Sequence, residues 1–141
     1  MKFQLITLLG VKLDKDVYEL VMPTAAGEIG VFPGHEHLVS LAIPGAISVR
    51  YKKGDPDKDL DHFAITGGII EVNPDFVKVL VDEAESGADI VEEETSASLE
   101  RAMHLRDNAK NQVELDRAHQ LIDRHAVRLK VAGLHRRHHR S

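Results

Sequence analysis

Short apolar runs separated by turn-forming residues occupy the first 85 residues, a pattern typical of a β-rich domain. Glycine, proline and asparagine clusters fall between the runs and mark the turns. The pattern predicts seven strands: Phe3–Leu9, Val17–Met22, His37–Ile43, Ala46–Tyr51, His62–Thr66, Ile69–Val72 and Phe76–Val81. Seven or more short strands at this spacing favour an antiparallel sandwich or a flattened barrel.

The hydrophobic pattern changes after Gly87. From Ala88 to Ala132 the chain contains neither glycine nor proline, so this stretch of 45 residues favours helix. Residues 89–92 have the spacing of a capping box, which predicts that a first helix begins there. The polar cluster at residues 107–112 predicts the reversal into a second helix.

A narrow apolar stripe follows the second predicted helix. Its members recur at alternating steps of three and four residues: Leu115, Ala118, Ile122, His125, Leu129 and Ala132. Such a stripe fits an antiparallel two-helix hairpin better than a helix packed into a core. A hairpin alone buries too little apolar area to offset the entropy of ordering it, so we expect a mobile element that docks on a neighbour.

The fold class predicted is therefore α+β, an N-terminal antiparallel β-sandwich followed by a C-terminal antiparallel two-helix hairpin. We expect the sandwich at residues 1–86 and the hairpin at residues 87–133, with Gly133 as the C-terminal cap. Residues 134–141 are expected to form a disordered tail rich in histidine and arginine.

Composition excludes several classes of protein. The chain has no cysteine, which excludes disulfides and thiolate metal sites. No apolar run approaches the roughly 18 residues that a membrane-spanning helix needs. The apolar run at the N-terminus is broken by Gln4 and Thr7 and lacks a cleavage site, so we interpret it as a strand and not a signal peptide.

Charge divides the chain into an acidic and a basic part. Residues 1–89 carry 8 Lys or Arg against 15 Asp or Glu, whereas residues 90–141 carry 10 against 8. A basic end attracts an acidic partner, so an adaptor that binds nucleic acid is an alternative function. The basic part has no aromatic residue on which bases could stack, and the acidic part would repel a phosphate backbone. We therefore predict no nucleic-acid partner.

The chain has nine histidines, which are candidate metal ligands. His35 and His37 would lie on one side of a strand, and His135, His138 and His139 crowd the C-terminus. No carboxylate is spaced to complete either site, so we predict no metal. His125, inside the apolar stripe, is expected to be a packed histidine that needs a hydrogen-bond partner.

No constellation of catalytic residues is visible either. Serines lack a nucleophile-elbow context, and the glycines of residues 27–34 are not followed by the lysine and helix of a phosphate-binding loop. We predict a protein that is not an enzyme and has no cofactor.

Four ordered blocks of sequence resemble the epsilon subunits of rotary ATP synthases. The first is residues 24–35, Thr-Ala-Ala-Gly-Glu-Ile-Gly-Val-Phe-Pro-Gly-His, which is similar to the family's Gly-Glu-Ile-Gly signature. The others are Pro44-Gly45, residues 67–72 and residues 79–85. One glycine-rich block would be weak, but four in the family's order identify the resemblance clearly.

The resemblance implies a non-catalytic rotor subunit of the proton-translocating synthase, peripheral to the cytoplasmic face of the bacterial inner membrane. The sandwich would join the gamma subunit to the membrane ring of c subunits. It implies an interface with gamma and the ring at Glu28, Ile29, Phe32, Pro33 and His35. From Gly27 and Gly30 we expect a tight turn that holds Glu28 at a loop tip.

The same resemblance implies that the hairpin can extend toward the catalytic head of alpha and beta subunits and restrain ATP hydrolysis. Three arginines of the second helix, Arg117, Arg124 and Arg128, lie within about 40° of one another at 100° per residue. They flank the apolar stripe, so we expect them to contact an acidic segment of beta in the extended form.

One motif of the family is degenerate. Members that bind ATP carry Ile/Leu-Asp-x-x-Arg-Ala at the start of the hairpin, whereas this chain has Val91, Glu94 and Thr95 at the Asp, Arg and Ala positions. The three consecutive glutamates at residues 92–94 would repel a triphosphate. We predict that the hairpin does not bind ATP.

Overall fold

The computed structural model describes residues 1–139, which form ten strands followed by two helices. The strands are β1 Lys2–Thr7, β2 Gly10–Asp16, β3 Glu19–Thr24, β4 Gly27–Val31, β5 Leu38–Ala42, β6 Gly45–Arg50, β7 Asp61–Ile65, β8 Gly68–Val72, β9 Phe76–Val81 and β10 Ala84–Ser86. The helices are α1 Glu92–Asp107 and α2 Gln112–His138. The predicted fold class is confirmed.

One continuous sheet supplies both layers of the sandwich. Layer A contains β4, β3, β6, β7 and β10, and layer B contains β5, β8, β9, β1 and β2. The layers meet where Thr24 of β3 pairs with Ala42 of β5. All neighbours are antiparallel except β1 and β9, which run parallel, a pairing that the prediction did not include.

The main core lies between the two layers. Side chains alternate along each strand, so every second residue faces inward. The largest of these buried side chains are Phe3, Leu5, Leu20, Met22, Ile47 and Ile70. This inner face is the origin of the short apolar runs in the sequence.

Three of the ten strands were not predicted from the sequence. Strand β2 is an edge strand whose residues are mostly exposed, so it carries little apolar signal. Strand β10 has only three residues. Strand β4 was wrongly interpreted as a turn: residues 27–31 pair with β3, and the turn is at Ala25 and Ala26. Gly27 ends that turn with φ of +114°, a conformation that favours glycine.

The start of the hairpin also differs from the prediction. Residues 87–89 form a short 3-10 turn, and α1 begins after Val91, whose side chain makes no capping hydrogen bond. Asp89 is therefore not the N-cap. The first-turn glutamates 92–94 complement the positive end of the helix dipole instead. The predicted reversal is in place, because α1 ends at Asp107 and α2 begins at Gln112.

The prediction for the C-terminus was wrong. Gly133 does not end the second helix; it is buried, and α2 continues to His138. Residues 134–138 remain helical because they contact the sandwich, which supplies the stability that a solvated tail would lack. Residues 140 and 141 of the expected tail lie outside the described residues.

The second helix covers the outer face of layer A. Val131 and Ala132 form a small cluster with Ala64 of β7 and with Ile90. Strand β7 is consequently buried on both faces from residue 62 to residue 65. The chain passes so close to α2 at Gly87 that a Cβ there would lie 2.9 Å from the Cβ of His135. The hairpin is thus docked in this structure.

Within residues 1–139, no helix combines the length and the apolar character that crossing a membrane requires.

Candidate interaction surfaces

The five residues assigned to a gamma and ring interface are divided between the two ends of β4. Glu28 and Ile29 lie at its start, and the other three follow its end. Four steps along a strand span about 13 Å, so these side chains do not share one loop tip. Glu28 is exposed on the outer face of layer A, whereas Ile29 packs against the main core.

The segment after β4 contacts two other parts of the sandwich: Tyr18, which precedes β3, and the turn between β8 and β9. The ring of Phe32 contacts Tyr18 edge-on, with centroids 5.6 Å apart, and remains partly exposed. The amide of Gly34 donates to the carbonyl of Pro74 in the turn between β8 and β9. Pro33 is exposed and His35 half-buried, so this segment presents a shaped, partly apolar end of the sandwich.

Layer B carries an apolar row across its outer face. The residues of this apolar row are direct cross-strand neighbours on five strands: Leu41, Ile69, Leu80, Ile6 and Val11. The side chains of Leu41 and Ile69 are 63 % and 49 % exposed, and that of Leu80 is 44 % exposed. Contiguous exposed apolar surface of this kind marks an interaction site.

A second row lies beside the apolar row, two residues along each strand; it is polar on β8, β9, β1 and β2 and apolar at Val39 of β5. Here Glu71 faces Lys78 across β8 and β9, and Gln4 donates a hydrogen bond to Asp14 across β1 and β2. An apolar centre with a polar margin is the usual anatomy of a protein–protein interface. Sequence analysis missed this surface, although Leu41, Ile69 and Leu80 break the alternation of their strands and could have indicated it.

The arginines of the second helix contact acidic residues of the sandwich. Arg128 makes two hydrogen bonds to the carboxylate of Glu85 in β10, at 2.7 and 3.0 Å. Arg124 forms an ion pair with Glu83. These carboxylates raise the pKa of Arg128 above its ordinary value, the hydrogen bond to Glu85 being the largest cause.

Arg117 lies beside the same contacts. It lines a cleft of about 520 Å³ between α2 and the ends of β7, β9 and β10, together with Arg124, Arg128 and residues 82–85. The structure therefore brings the three predicted arginines onto one surface, and that surface faces the chain's own carboxylates. The spacing of the arginines is visible in the sequence, but their partners, some 40 residues away, are not.

His125 has the hydrogen-bond partner that its position in the stripe requires. Its Nδ1 accepts from the guanidinium of Arg128 at 3.2 Å. Burial, and then the neighbouring charge of Arg128, lowers the pKa of His125. The interpretation of this residue as a packed histidine agrees with its half-buried position.

The residues at the degenerate nucleotide motif make contacts within the chain. Val91 precedes the helix and is exposed, and the hydroxyl of the buried Thr95 donates to its carbonyl at 2.9 Å. Glu94 is exposed in the first turn, while Glu92 pairs with Arg136 of α2. The glutamates of this turn thus lie at the positive end of the helix dipole, and one of them pairs with an arginine of α2.

Two buried or half-buried histidines join the C-terminal end of α2 to layer A. His62 of β7 is 2 % exposed, and its Nε2 lies 2.7 Å from Nδ1 of His138. Its other ring nitrogen lies 2.8 Å from the hydroxyl of Ser48 in β6. Burial lowers the pKa of His62 to about 4, with His138 as the next cause. No pattern in the sequence links these residues, which are 76 positions apart.

The histidines and the arginines of residues 1–139 differ in the contacts that they make. No group of three or more histidine and carboxylate side chains in this part is arranged to hold an ion. Three arginines of the basic half, Arg124, Arg128 and Arg136, pair with glutamates.

Comparisons with known proteins agree on one family. The model of the ATP synthase delta/epsilon chain β-sandwich domain matches residues 1–87. The ATP synthase epsilon chain of Rippkaea orientalis is 34 % identical over 85 % of this chain and 87 % of its own length. That of Halalkalibacterium halodurans is 38 % identical over 84 % and 86 %.

Solved structures are similar over the hairpin as well. A chain in the mitochondrial ATP synthase of Euglena gracilis, solved as an assembly of OSCP, F1 and c-ring, superposes with a TM-score of 0.79. It is 25 % identical, and the match covers 94 % of this chain and 80 % of that one. A chain in the central stalk and c-ring of Tetrahymena thermophila shares the fold, with a TM-score of 0.58 at 13 % identity.

Proposed function

Since the chain belongs to the ATP synthase epsilon-chain family, we propose that it joins the gamma subunit to the ring of c subunits and restrains ATP hydrolysis through its hairpin. An epsilon chain is a non-catalytic subunit of the F1 central stalk. The proposal therefore concerns which surfaces of this chain make the contacts of a rotor subunit, and what its hairpin does. It also places the chain peripherally, at the cytoplasmic face of the bacterial membrane.

The observation that carries the proposal is the apolar row on layer B. Layer A is covered by the chain's own hairpin, so layer B is the large sheet face left for a partner. The polar margin and the exposed leucines and isoleucines fit a lasting protein–protein contact rather than a transient one. We assign this face, together with Phe32, Pro33 and His35 at its end, to gamma.

The c-ring contact is assigned to the opposite end of β4. There Thr24 and Gly27 close the turn between β3 and β4, with the hydroxyl of Thr24 donating to the carbonyl of Gly27 at 2.5 Å. Glu28 follows and is exposed. A rigid turn with an exposed carboxylate suits a contact with polar loops of a membrane ring.

The role of the hairpin is argued from the ion pairs of Arg124 and Arg128. Both arginines are engaged by Glu83 and Glu85 while the hairpin is docked, so they become available only when it leaves layer A. An extended hairpin would offer Arg117, Arg124 and Arg128 to an acidic segment of beta. Glu83 and Glu85 in the docked form and beta in the extended form would thus compete for the same guanidinium groups.

The test is the binding of gamma to variants of the apolar row. Leu41→Asp places a charge on the most exposed residue of the row and should weaken the complex with the chain's own gamma subunit about ten-fold or more, because a charge is then desolvated without a partner. Val113→Asp changes an even more exposed apolar residue, on the hairpin, and should bind normally. Normal gamma binding by a folded Leu41→Asp chain would refute the assignment.

A further inference from the structure

The contact between His62 and His138 is the polar joint at the C-terminal end of the docked hairpin. His62 is buried in β7 beneath α2, and His138 is the last residue of α2. The arginine contacts with the sandwich hold the middle of α2, ten or more residues earlier. The middle and the C-terminal end of the docked helix are therefore held to the sandwich by groups of different chemistry, and only histidine side chains ordinarily change charge near neutral pH.

The geometry of this histidine pair, His62 and His138, limits the number of protons that it can hold. At 2.7 Å, one of the two facing nitrogens must donate and the other must accept. A neutral pair satisfies this condition, and so does a pair with one imidazolium. A doubly protonated pair places two N–H groups and two positive charges against each other, which breaks the contact.

The surroundings oppose even the first proton on His62. Its other nitrogen faces the Ser48 hydroxyl, which can donate or accept and so offers no charge to balance an imidazolium. The neighbouring charged and titratable groups are His135 of α2, His139 directly after α2, Asp61 of β7, and Asp57 with its partner Arg50. Only the two aspartates favour protonation, and Asp57 is already paired with Arg50.

His139 has the opposite effect on docking of the hairpin. Its Nε2 donates to the carbonyl of Leu60 at 2.6 Å and lies 3.9 Å from Asp61. Its protonation would strengthen docking slightly, as an exposed ion pair contributes little. It also stacks on His135 at 4.3 Å, so protonating both rings costs part of that gain. The buried His62–His138 pair therefore determines that docking weakens, and does not strengthen, as the pH falls.

We propose that protonation of the His62–His138 pair releases the C-terminal end of α2 from layer A, which makes closure of the hairpin sensitive to protons. In the released state both rings are solvated, and each can take up a proton. In the docked state the pair holds at most one proton and the buried His62 resists protonation, so the released state binds more protons. Docking is then strongest above about pH 6.5 and weakens as the pH falls toward 4.

The size of the effect follows from one proton taken up on release. Between pH 7.5 and 5.5, a histidine with the ordinary pKa of about 6.5 in the released state shifts the docking equilibrium about ten-fold. This change holds for the isolated chain, whatever its place in an assembly. Failure of this inference would therefore leave the proposed rotor function untouched.

Hydrogen–deuterium exchange of the isolated full chain tests the proposal. Protection factors, corrected for the pH dependence of intrinsic exchange, should fall about ten-fold at residues 128–135 of α2 between pH 7.5 and 5.5. Those of β8 should remain unchanged. Equal protection of α2 at both pH values would overturn the proposal.

Variants separate the pair from the other histidines. His62→Gln keeps a hydrogen-bonding group but cannot take up a proton, and it should remove most of the ten-fold change. His62→Asn is the second variant if His62→Gln does not fold. His138→Gln leaves His62 buried and removes only the facing ring, so it should retain the part of the change that burial causes. His119→Gln, an exposed position on α2, should retain the whole change. The same pH dependence in a folded His62 variant as in the wild-type chain would also overturn the proposal.

Discussion

Arg128 of α2 and Glu85 of β10 form a two-pronged ion pair, with hydrogen bonds of 2.7 and 3.0 Å between side chains 43 residues apart. Both side chains are about one-quarter to one-third exposed, so the pair is partly shielded from solvent. Bidentate contacts between a guanidinium and a carboxylate are among the stronger ionic contacts in proteins. The pair fastens the middle of the hairpin to the sandwich.

Glu85→Gln should weaken docking of the hairpin. Loss of the charge removes about 1 kcal/mol, which increases the population of the undocked hairpin about five-fold. Hydrogen exchange of α2 in the isolated chain measures this change, and Asp16→Asn at the far edge of layer B is the control. In the assembled enzyme the freed arginine should deepen restraint, so hydrolysis should slow. Faster hydrolysis would contradict a competition between Glu85 and the catalytic head.

Reversal of the three arginines should have the opposite effect on hydrolysis. Arg117→Glu, Arg124→Glu and Arg128→Glu together remove the docking contacts and also the contacts proposed with beta. Three such charges are expected to bias the switch by about 1–3 kcal/mol. Hydrolysis should approach that of an enzyme lacking the hairpin, gamma binding should persist, and added salt should mimic part of the effect. Unchanged hydrolysis at low salt would mean that the arginines only solvate the helix.

Removal of the residues after Gly87 should separate coupling from restraint. The truncated chain retains the core between the layers and the apolar row, so it should still assemble with gamma. ATP synthesis should continue, and hydrolysis should be faster than in the intact enzyme. Because Ala64 and His62 lose their cover, the free energy of unfolding of the sandwich should also fall. Loss of gamma binding would show that the hairpin is part of the assembly surface.

The isolated chain should not bind ATP at millimolar concentration. Glu94 replaces the arginine of the nucleotide motif, and Glu83 and Glu85 already occupy the arginines of α2. Calorimetric titration should show no saturable heat. A variant that restores the motif, Val91→Asp with Glu94→Arg and Thr95→Ala, is the matched positive control. Saturable binding by the wild-type chain would mean that other residues form a site.

Local sequence determined most of the sandwich. Seven strands follow from alternating apolar residues and turn signals, because inward-facing positions of a strand recur at every second residue. The break after Gly87 predicted the helices, and the reversal at residues 107–112 followed from polar residues. Elements without an apolar face, such as the exposed edge strand β2, gave no comparable signal.

Only the tertiary structure decided how the hairpin is held and where α2 ends. Gly133 has the local signature of a cap, yet the helix passes through it because later residues gain contacts with β7. In the sequence His62 looks like an ordinary strand residue, and only the packing of α2 buries it against His138. Arg128 likewise reads as a solvated arginine until Glu85 is placed opposite. Such pairs form between residues far apart in sequence, so their free energy depends on a packing geometry that no local pattern encodes.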